Sequence, residues 1–126
     1  MDKPFKLLII DDDEEILSTL KYFLSSKRYE VFSASDGLEG LKLLETEEQD
    51  FDLVITDLVM PNISGVGLIA IIKKKFPGLP VIAITGWGEH PEVLATEAQA
   101  DQVLEKPFEF SKLDRLIKDL LSDKKN

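Results

Sequence analysis

Short apolar runs alternate along the chain with segments whose apolar residues recur every three or four positions. Five of these runs are too short for helices and are bounded by turn residues or acids, which is typical of buried β-strands. The predicted strands are Phe5–Ile10, Tyr29–Ser33, Phe51–Thr56, Pro80–Thr85 and Gln102–Glu105. The third is apolar nearly throughout, as expected when helices cover both faces of a parallel sheet.

Segments with helical spacing follow each of these strands. The first predicted helix runs from Glu14 to about Ser26, and the second begins at Asp36-Gly37 and contains Leu38, Leu41 and Leu44. The third is capped by Ser64 and contains Leu68, Ile69, Ile71 and Ile72. The fourth runs from about Pro91 to Ala98, and the last contains Leu113, Leu116, Ile117, Leu120 and Leu121. Asp12 or Asp13 is placed to cap the first of them. Five βα units joined by short loops predict an α/β fold, in which a parallel sheet lies between two helical layers.

Composition narrows the possible functions. The 126 residues are enough for one domain. The net charge of −9 argues against nucleic-acid binding by this chain, because phosphate backbones require a positively charged surface. There is no cysteine, which excludes disulfides and thiolate metal sites. No apolar segment approaches the roughly 20 residues that span a bilayer, and no signal peptide is evident. We therefore expect a soluble cytoplasmic domain over residues 1–126, with a polar tail from about residue 122.

Polar residues collect where the predicted strands end. Asp11–Asp13 follow the first strand, Asp57 the third, Thr85 closes the fourth, and Lys106 follows the fifth. Each alone could have a structural role, as a helix cap, a turn residue or a surface lysine. Because parallel strands place their carboxyl ends at one edge of the sheet, their joint occurrence favours a single site.

The residue types at this edge suit phosphoryl transfer. Carboxylates without a neighbouring guanidinium are typical ligands of Mg²⁺, which would offset the repulsion among the acids. Asp57 could then be a nucleophile that forms an aspartyl phosphate. Lys106 and the Thr85 hydroxyl could stabilise the phosphoryl oxygens, so no histidine base is required.

Four segments resemble the receiver domain of two-component response regulators, and the resemblance covers essentially the whole chain. They are LLIIDDDEEI from residue 7, DLVITDLVMPNISG over residues 52–65, VIAITG from residue 81, and LEKPF ending at residue 108. The resemblance implies a flavodoxin-like doubly wound sheet of strand order 2-1-3-4-5 in an α/β/α sandwich. It also implies a switch that changes its affinity for an output partner, not a conventional enzyme.

For the acidic residues, the resemblance implies distinct roles. Asp57 would accept a phosphoryl group from the phosphohistidine of a histidine kinase or a histidine phosphotransfer protein. Asp12 would bind Mg²⁺ directly and Asp11 mainly through water, and the backbone carbonyl of Val59 would be a further ligand. Asp57 itself would share the same ion.

The resemblance assigns roles to the other two strand ends as well. Thr85 and Lys106 would contact the phosphoryl group, and the peptide bond before Pro107 would be cis, which proline permits at modest cost. Two positions depart from the family pattern. Val103 stands where an aromatic ring usually reports phosphorylation, so we hypothesise that residues 86–98 carry the signal instead. Gln99 stands where glycine usually adopts a positive φ, which glutamine can adopt only with strain.

Three alternatives are open at this point. A haloacid-dehalogenase-like phosphatase would use Asp11 and Asp13 as its two acids, although Glu15 replaces the expected threonine. A flavin-binding flavodoxin-like module would need a phosphate loop where this chain has acids. A degenerate receiver could act by binding alone. No output segment follows the last helix, so the chain is expected to be either a stand-alone switch or part of a longer regulator.

Overall fold

Five strands and four helices alternate along the chain in a computed structural model that describes residues 3–46, 50–58, 60, 65–86 and 99–124. In chain order they are β1 Lys6–Ile10, α1 Glu14–Ser26, β2 Glu30–Ala34, α2 Gly37–Thr46, β3 Leu53–Asp57, α3 Gly65–Lys75, β4 Val81–Thr85, β5 Gln102–Glu105 and α4 Phe110–Lys124. All five predicted strands are present, displaced by at most two residues at either end. The predicted helix over residues 91–98 and the Ser64 cap lie outside the described residues.

The strands form one sheet in the order β2-β1-β3-β4-β5, and every neighbouring pair is parallel. This is the strand order implied by the resemblance. The crossover from β2 past β1 to β3 leaves β1 and β3 side by side near the centre of the sheet. Their carboxyl ends therefore adjoin, at the place where the strand order reverses and ligands bind in open α/β sheets.

The core has two halves, one on each face of the sheet. Leu7 and Ile9 of β1 pack with the apolar faces of α1 and α4. Leu8 and Ile10, whose side chains alternate to the other face, pack with α2 and α3. Because both faces are covered, the central strands are apolar at nearly every position. Leu38 is an exception among the predicted helical leucines, since it is 56% exposed at the start of α2.

The end of α1 is closed by a Schellman motif. Lys27 is the C-cap, the Arg28 N–H donates to the Ser25 carbonyl at 3.1 Å, and the Tyr29 N–H donates to the Leu24 carbonyl at 3.3 Å. This motif requires a left-handed residue after the cap, which is usually glycine. Here it is Arg28, with φ 72°.

Two departures from the family pattern can be located. Gln99 adopts φ 64°, so the left-handed conformation is kept without glycine. Val103 lies in β5 and packs, half-buried, against the same core half as α2 and α3. Within the described part of the chain, no helix combines the length and the apolar character needed to cross a membrane.

Candidate functional site

Four strand ends meet at one edge of the sheet. Asp11 follows β1, Asp57 is the last residue of β3, Thr85 is the last residue of β4, and Lys106 follows β5. Asp57 pairs in register with Ile84, so Thr85 lies one residue beyond that pair on the adjacent strand. The parallel order of the sheet thus brings together side chains that are far apart in sequence.

Three carboxylates form the centre of this site. Asp11, Asp12 and Asp57 each offer an oxygen, and these oxygens all lie within 4.8 Å of one another. Asp11 and Asp57 are buried, whereas Asp12 is exposed. The predicted proximity of position 57 to positions 11 and 12 is therefore observed.

Lys106 is the cation of the site. Its Nζ lies 3.1 Å from Asp57 Oδ2 and 3.8 Å from Asp11 Oδ2. Burial by itself lowers the pKa of Lys106, but the negative charges of Asp57 and Asp11 outweigh it and leave the pKa above its usual value. Lys106 is therefore an ammonium ion at neutral pH, and it offsets part of the carboxylate repulsion.

Asp11 is a buried carboxyl group whose charged form is disfavoured. Its side chain is almost fully buried, and burial is the main reason that its pKa rises from 3.8 to about 6. The charges of Asp57 and Asp12 raise the pKa further, while the Asp13 N–H and Lys106 lower it. Asp11 Oδ1 accepts from the Asp13 N–H at 2.9 Å. Oδ2 has no hydrogen-bond partner among the described residues.

This orphaned oxygen tests whether a cation fits the site. A buried carboxylate oxygen without a donor is costly, and a cation is one of the few groups that can satisfy it. Three carboxylates, with no sulfur or imidazole beside them among the described residues, are a donor set for a hard divalent ion. The residues present therefore fit such an ion. Val59, whose carbonyl is the other predicted ligand, lies outside the described residues.

The remaining acids after β1 have structural roles. Of the two candidate caps, the structure selects Asp13, whose Oδ1 accepts from the N–H groups of Glu15 and Ile16 at 3.0 and 3.2 Å. Glu14 and Glu15 occupy the first turn of α1, where the helix dipole favours negative charge. The five consecutive acids thus divide into two site residues and three that begin a helix.

The backbone around Thr85 positions Lys106. The Lys106 N–H donates to the Thr85 carbonyl at 2.8 Å, which joins the ends of β4 and β5. The Thr85 side chain is buried at this edge. The peptide bond between Lys106 and Pro107 is cis, as the resemblance implies.

Gly65 is a residue of the site that the sequence analysis missed. Its N–H donates to the Leu58 carbonyl at 3.0 Å. A Cβ at this position would overlap the Asp57 carbonyl oxygen and Leu58 Cα, far inside van der Waals distance. The sequence does carry a signal for this contact, because glycine at the first residue of a helix indicates close approach of another backbone.

Replacing Asp11 by asparagine is expected to stabilise the metal-free protein by about 1–2 kcal/mol near pH 7.5. A carboxyl whose folded pKa is raised contributes stability below its unfolded pKa and loses it as pH rises through the folded value, here between about 4 and 6. Ionisation of Asp11 lowers the free energy of unfolding of the wild type by at most about 3 kcal/mol. The variant does not regain all of this, because the buried amide of asparagine has an unpaired polar group. Urea unfolding in EDTA measures the difference.

The same comparison made at lower pH is the control. The advantage of Asp11→Asn should shrink as the pH falls toward about 4, where the folded-state carboxyl is neutral and the two states bind nearly the same number of protons. An advantage that is absent near pH 7.5, or that does not change with pH, would contradict this account of Asp11.

Comparison with known proteins identifies the family. Residues 7–118 match the family model of the response regulator receiver domain. The transcriptional regulatory protein GlrR of Escherichia coli is 42% identical over 120 residues, which are 94% of this chain and 27% of that protein. The alkaline phosphatase synthesis transcriptional regulatory protein PhoP of Bacillus subtilis is 33% identical over 92% of this chain and 48% of that protein. The chain thus spans about a quarter to a half of these curated relatives.

Solved structures show the same similarity. A response regulator receiver domain protein from Clostridium thermocellum superimposes with a TM-score of 0.89 at 36% identity, covering 96% of this chain and 97% of that one. The response regulator TrrA from Thermotoga maritima, solved in complex with Mg²⁺ and BeF, gives 0.83 at 34% identity and covers 92% and 98%. These matches support a phosphoacceptor switch over a haloacid-dehalogenase-like phosphatase. The chain belongs to the response regulator receiver domain family.

Proposed function

We propose that Asp57 is the phosphoacceptor of this receiver and that a phosphohistidine of a histidine kinase or a phosphotransfer protein is the donor. The observation that supports this best is the contact of Asp57 with Lys106 beside the Asp11–Asp12 pair. A carboxylate at the end of a buried strand, with an ammonium and two further carboxylates beside it, suits an acyl phosphate. An Asp57 oxygen attacks phosphorus, the phosphorus–nitrogen bond breaks, and the imidazole leaves with the bonding electron pair.

The other side chains stabilise charge and take no proton from the nucleophile. Asp57 attacks as a carboxylate, so it needs no general base. We propose that Lys106 pairs with one phosphoryl oxygen and that the Thr85 hydroxyl donates to another. Mg²⁺ is the ion we propose for Asp11, Asp12, Asp57 and the Val59 carbonyl, and when bound it would neutralise charge on the phosphoryl oxygens.

An apolar groove beside the site is the place we propose for the donor protein. It has a volume of about 470 Å³ and is bordered by Ile16 and Leu20 of α1, by Pro107 and Phe108, and by Lys106 itself. A partner seated there would lie beside Lys106, whose Nζ is 3.1 Å from Asp57 Oδ2, and would extend its histidine toward that carboxylate. Its apolar lining would exclude water and hold the two reacting groups in one orientation.

The acyl phosphate carries about −1.5 to −2 charges where the Asp57 carboxylate carried −1, so a pocket that already holds three acids becomes more negative. We propose that the rearrangement around this charge is transmitted through residues 86–98, which follow Thr85, to an output partner or domain. The curated relatives are transcriptional regulators by name, so we propose transcriptional output for the whole protein, with DNA contacted by another part. Residues 1–126 would act as one receiver domain. We propose that it is located in the cytoplasm, where such kinases would phosphorylate it.

Incubation with acetyl phosphate and Mg²⁺ tests this function. Intact-mass spectrometry should show one phosphoryl group per chain, with the label removed by hydroxylamine and absent in EDTA. Peptide mapping should place the label on Asp57. Labelling that is independent of Mg²⁺, or repeated turnover of a phosphate monoester, would contradict the proposal.

A further inference from the structure

A second concave surface lies at the opposite end of the sheet from the phosphoacceptor. It is bordered by residues 3–5 before β1, by residues 27–29 in the turn after α1, and by the end of α4, and its volume is about 360 Å³. Because β1 runs from Lys6 to Ile10 and Asp11 follows it, this surface and the site lie at the two ends of the same strand. We call it the basic groove.

The basic groove is positively charged in an acidic protein. Four of the 15 basic residues of the chain border it, namely Lys3, Lys27, Arg28 and Lys118. Its described lining contains no carboxylate. Lys118 contacts Asp114 at 3.2 Å, but the other three form no ion pair with a described carboxylate.

The floor of the basic groove is apolar and rigid. Leu121 is buried there, and Phe5 and Tyr29 pack, partly buried, against the core half that α1 and α4 share. The Tyr29 hydroxyl donates to Asp114 at 2.8 Å, which fixes the ring between the turn and α4. An apolar floor with a cationic rim suits a ligand with an apolar centre and negative flanks.

Arg28 is a cation of the groove at a position where glycine is usual. Its φ of 72° is a conformation that glycine adopts without steric cost and other residues adopt with strain. The chain nevertheless places an exposed guanidinium at this position, on the rim of the groove. The Schellman motif accounts for the left-handed backbone, and charge at the rim is the property that glycine at this position would remove.

We propose that the basic groove binds an acidic segment of a partner protein. One apolar side chain of the segment would pack on Phe5 and Tyr29, and flanking carboxylates would pair with Arg28 and Lys27. Arginine favours such pairing because its planar fork can bind a carboxylate with two hydrogen bonds.

The surroundings favour a short acidic peptide over larger polyanions. A neighbouring hollow shares Lys3 and Phe5 with the groove but contains Glu30, Asp50 and Asp52. These acids, and a net charge of −9 over the chain, would repel a nucleic acid or an anionic membrane extending beyond the groove. The groove itself has room for only a few side chains.

Fluorescence anisotropy with two labelled peptides tests the proposal. In the first peptide glutamates flank one phenylalanine, and in the second every glutamate is replaced by glutamine. The wild-type protein should bind the acidic peptide at least about tenfold more tightly, and added NaCl should weaken that binding. Equal binding of the two peptides would overturn the proposal.

Variants at Arg28 distinguish an effect on peptide binding from an effect on the stability of the fold. Arg28→Gly should weaken acidic-peptide binding about tenfold, the effect of losing one charge-assisted hydrogen bond, while raising the melting temperature by relieving the left-handed strain. Arg28→Gln should weaken binding similarly without that gain in stability. Opposite effects on binding and stability in one variant cannot come from damage to the fold.

Lys42→Gln is the matched control, since it removes one positive charge from an exposed position on α2, away from the groove. It should leave peptide binding unchanged. An equal loss in Lys42→Gln, or no loss in Arg28→Gln, would overturn the proposal. So would tight binding of anionic vesicles or duplex DNA in the absence of peptide binding, because the groove would then recognise a different class of partner.

Discussion

Replacement of Asp57 by asparagine is expected to abolish phosphoryl uptake from both a phosphohistidine donor and acetyl phosphate. An amide oxygen is a poor nucleophile, and the site offers no second acceptor with the same contacts, because Asp11 and Asp12 are the proposed ion ligands. The fold should be retained, since the change removes one of three mutually repelling carboxylates. Intact-mass spectrometry after incubation with the donor and Mg²⁺ measures the loss.

Asp50→Asn is the matched control for this experiment. Asp50 is exposed and precedes β3, at the end of the sheet away from the acceptor. The control variant should be labelled at the wild-type rate. Labelling of Asp57→Asn at a comparable rate would place the acceptor elsewhere and refute the proposed role of Asp57.

Gly65→Ala is expected to destabilise the protein by about 3 kcal/mol and to slow phosphoryl uptake at the same time. The added methyl would overlap the Asp57 carbonyl oxygen and Leu58 Cα, which are backbone atoms that cannot rotate away. Overpacking of this kind usually costs about 1–3 kcal/mol, and the upper end applies where the obstacle is backbone. Any relaxation of β3 would also shift Asp57 relative to Lys106.

Urea unfolding and the initial rate of labelling are the two measurements for this variant. Gly78→Ala is the control, because a Cβ at Gly78 would meet nothing within 4 Å. That control should lose little stability and keep the wild-type labelling rate. A Gly65→Ala protein with the wild-type urea midpoint would show that the backbone at Asp57 tolerates displacement.

Most of the fold was predictable because its signals are local. Runs of four to six residues and helical spacing depend on neighbours in sequence, and they located every strand to within two residues. The site followed from one further rule, that parallel strands share a carboxyl edge. Asp11, Asp57, Thr85 and Lys106 are at that edge, as predicted.

Features that depend on atomic contacts could not be predicted. Asp12 and Asp13 are chemically identical, and only the hydrogen bonds to Glu15 and Ile16 select Asp13 as the cap. The raised pKa of Asp11 depends on burial by distant elements. The close contact of Gly65 with β3 depends on the approach angle of α3.

The basic groove illustrates the same limit over a longer range. Its cations come from positions 3, 27, 28 and 118, whose spacing along the chain carries no periodic signal. Overall composition predicted an acidic surface, because a net charge of −9 does not reveal a local excess of positive charge.

Asp57 belongs to a strand with hydrogen-bonded neighbours on both sides, and this has a consequence for the activated state. The backbone of β3 is therefore expected to move little when the Asp57 side chain is modified. Structures of the two states superimposed on the central strands should coincide there and diverge only at the periphery. The central strands of the receiver would then stay in place while the surrounding helices and loops move.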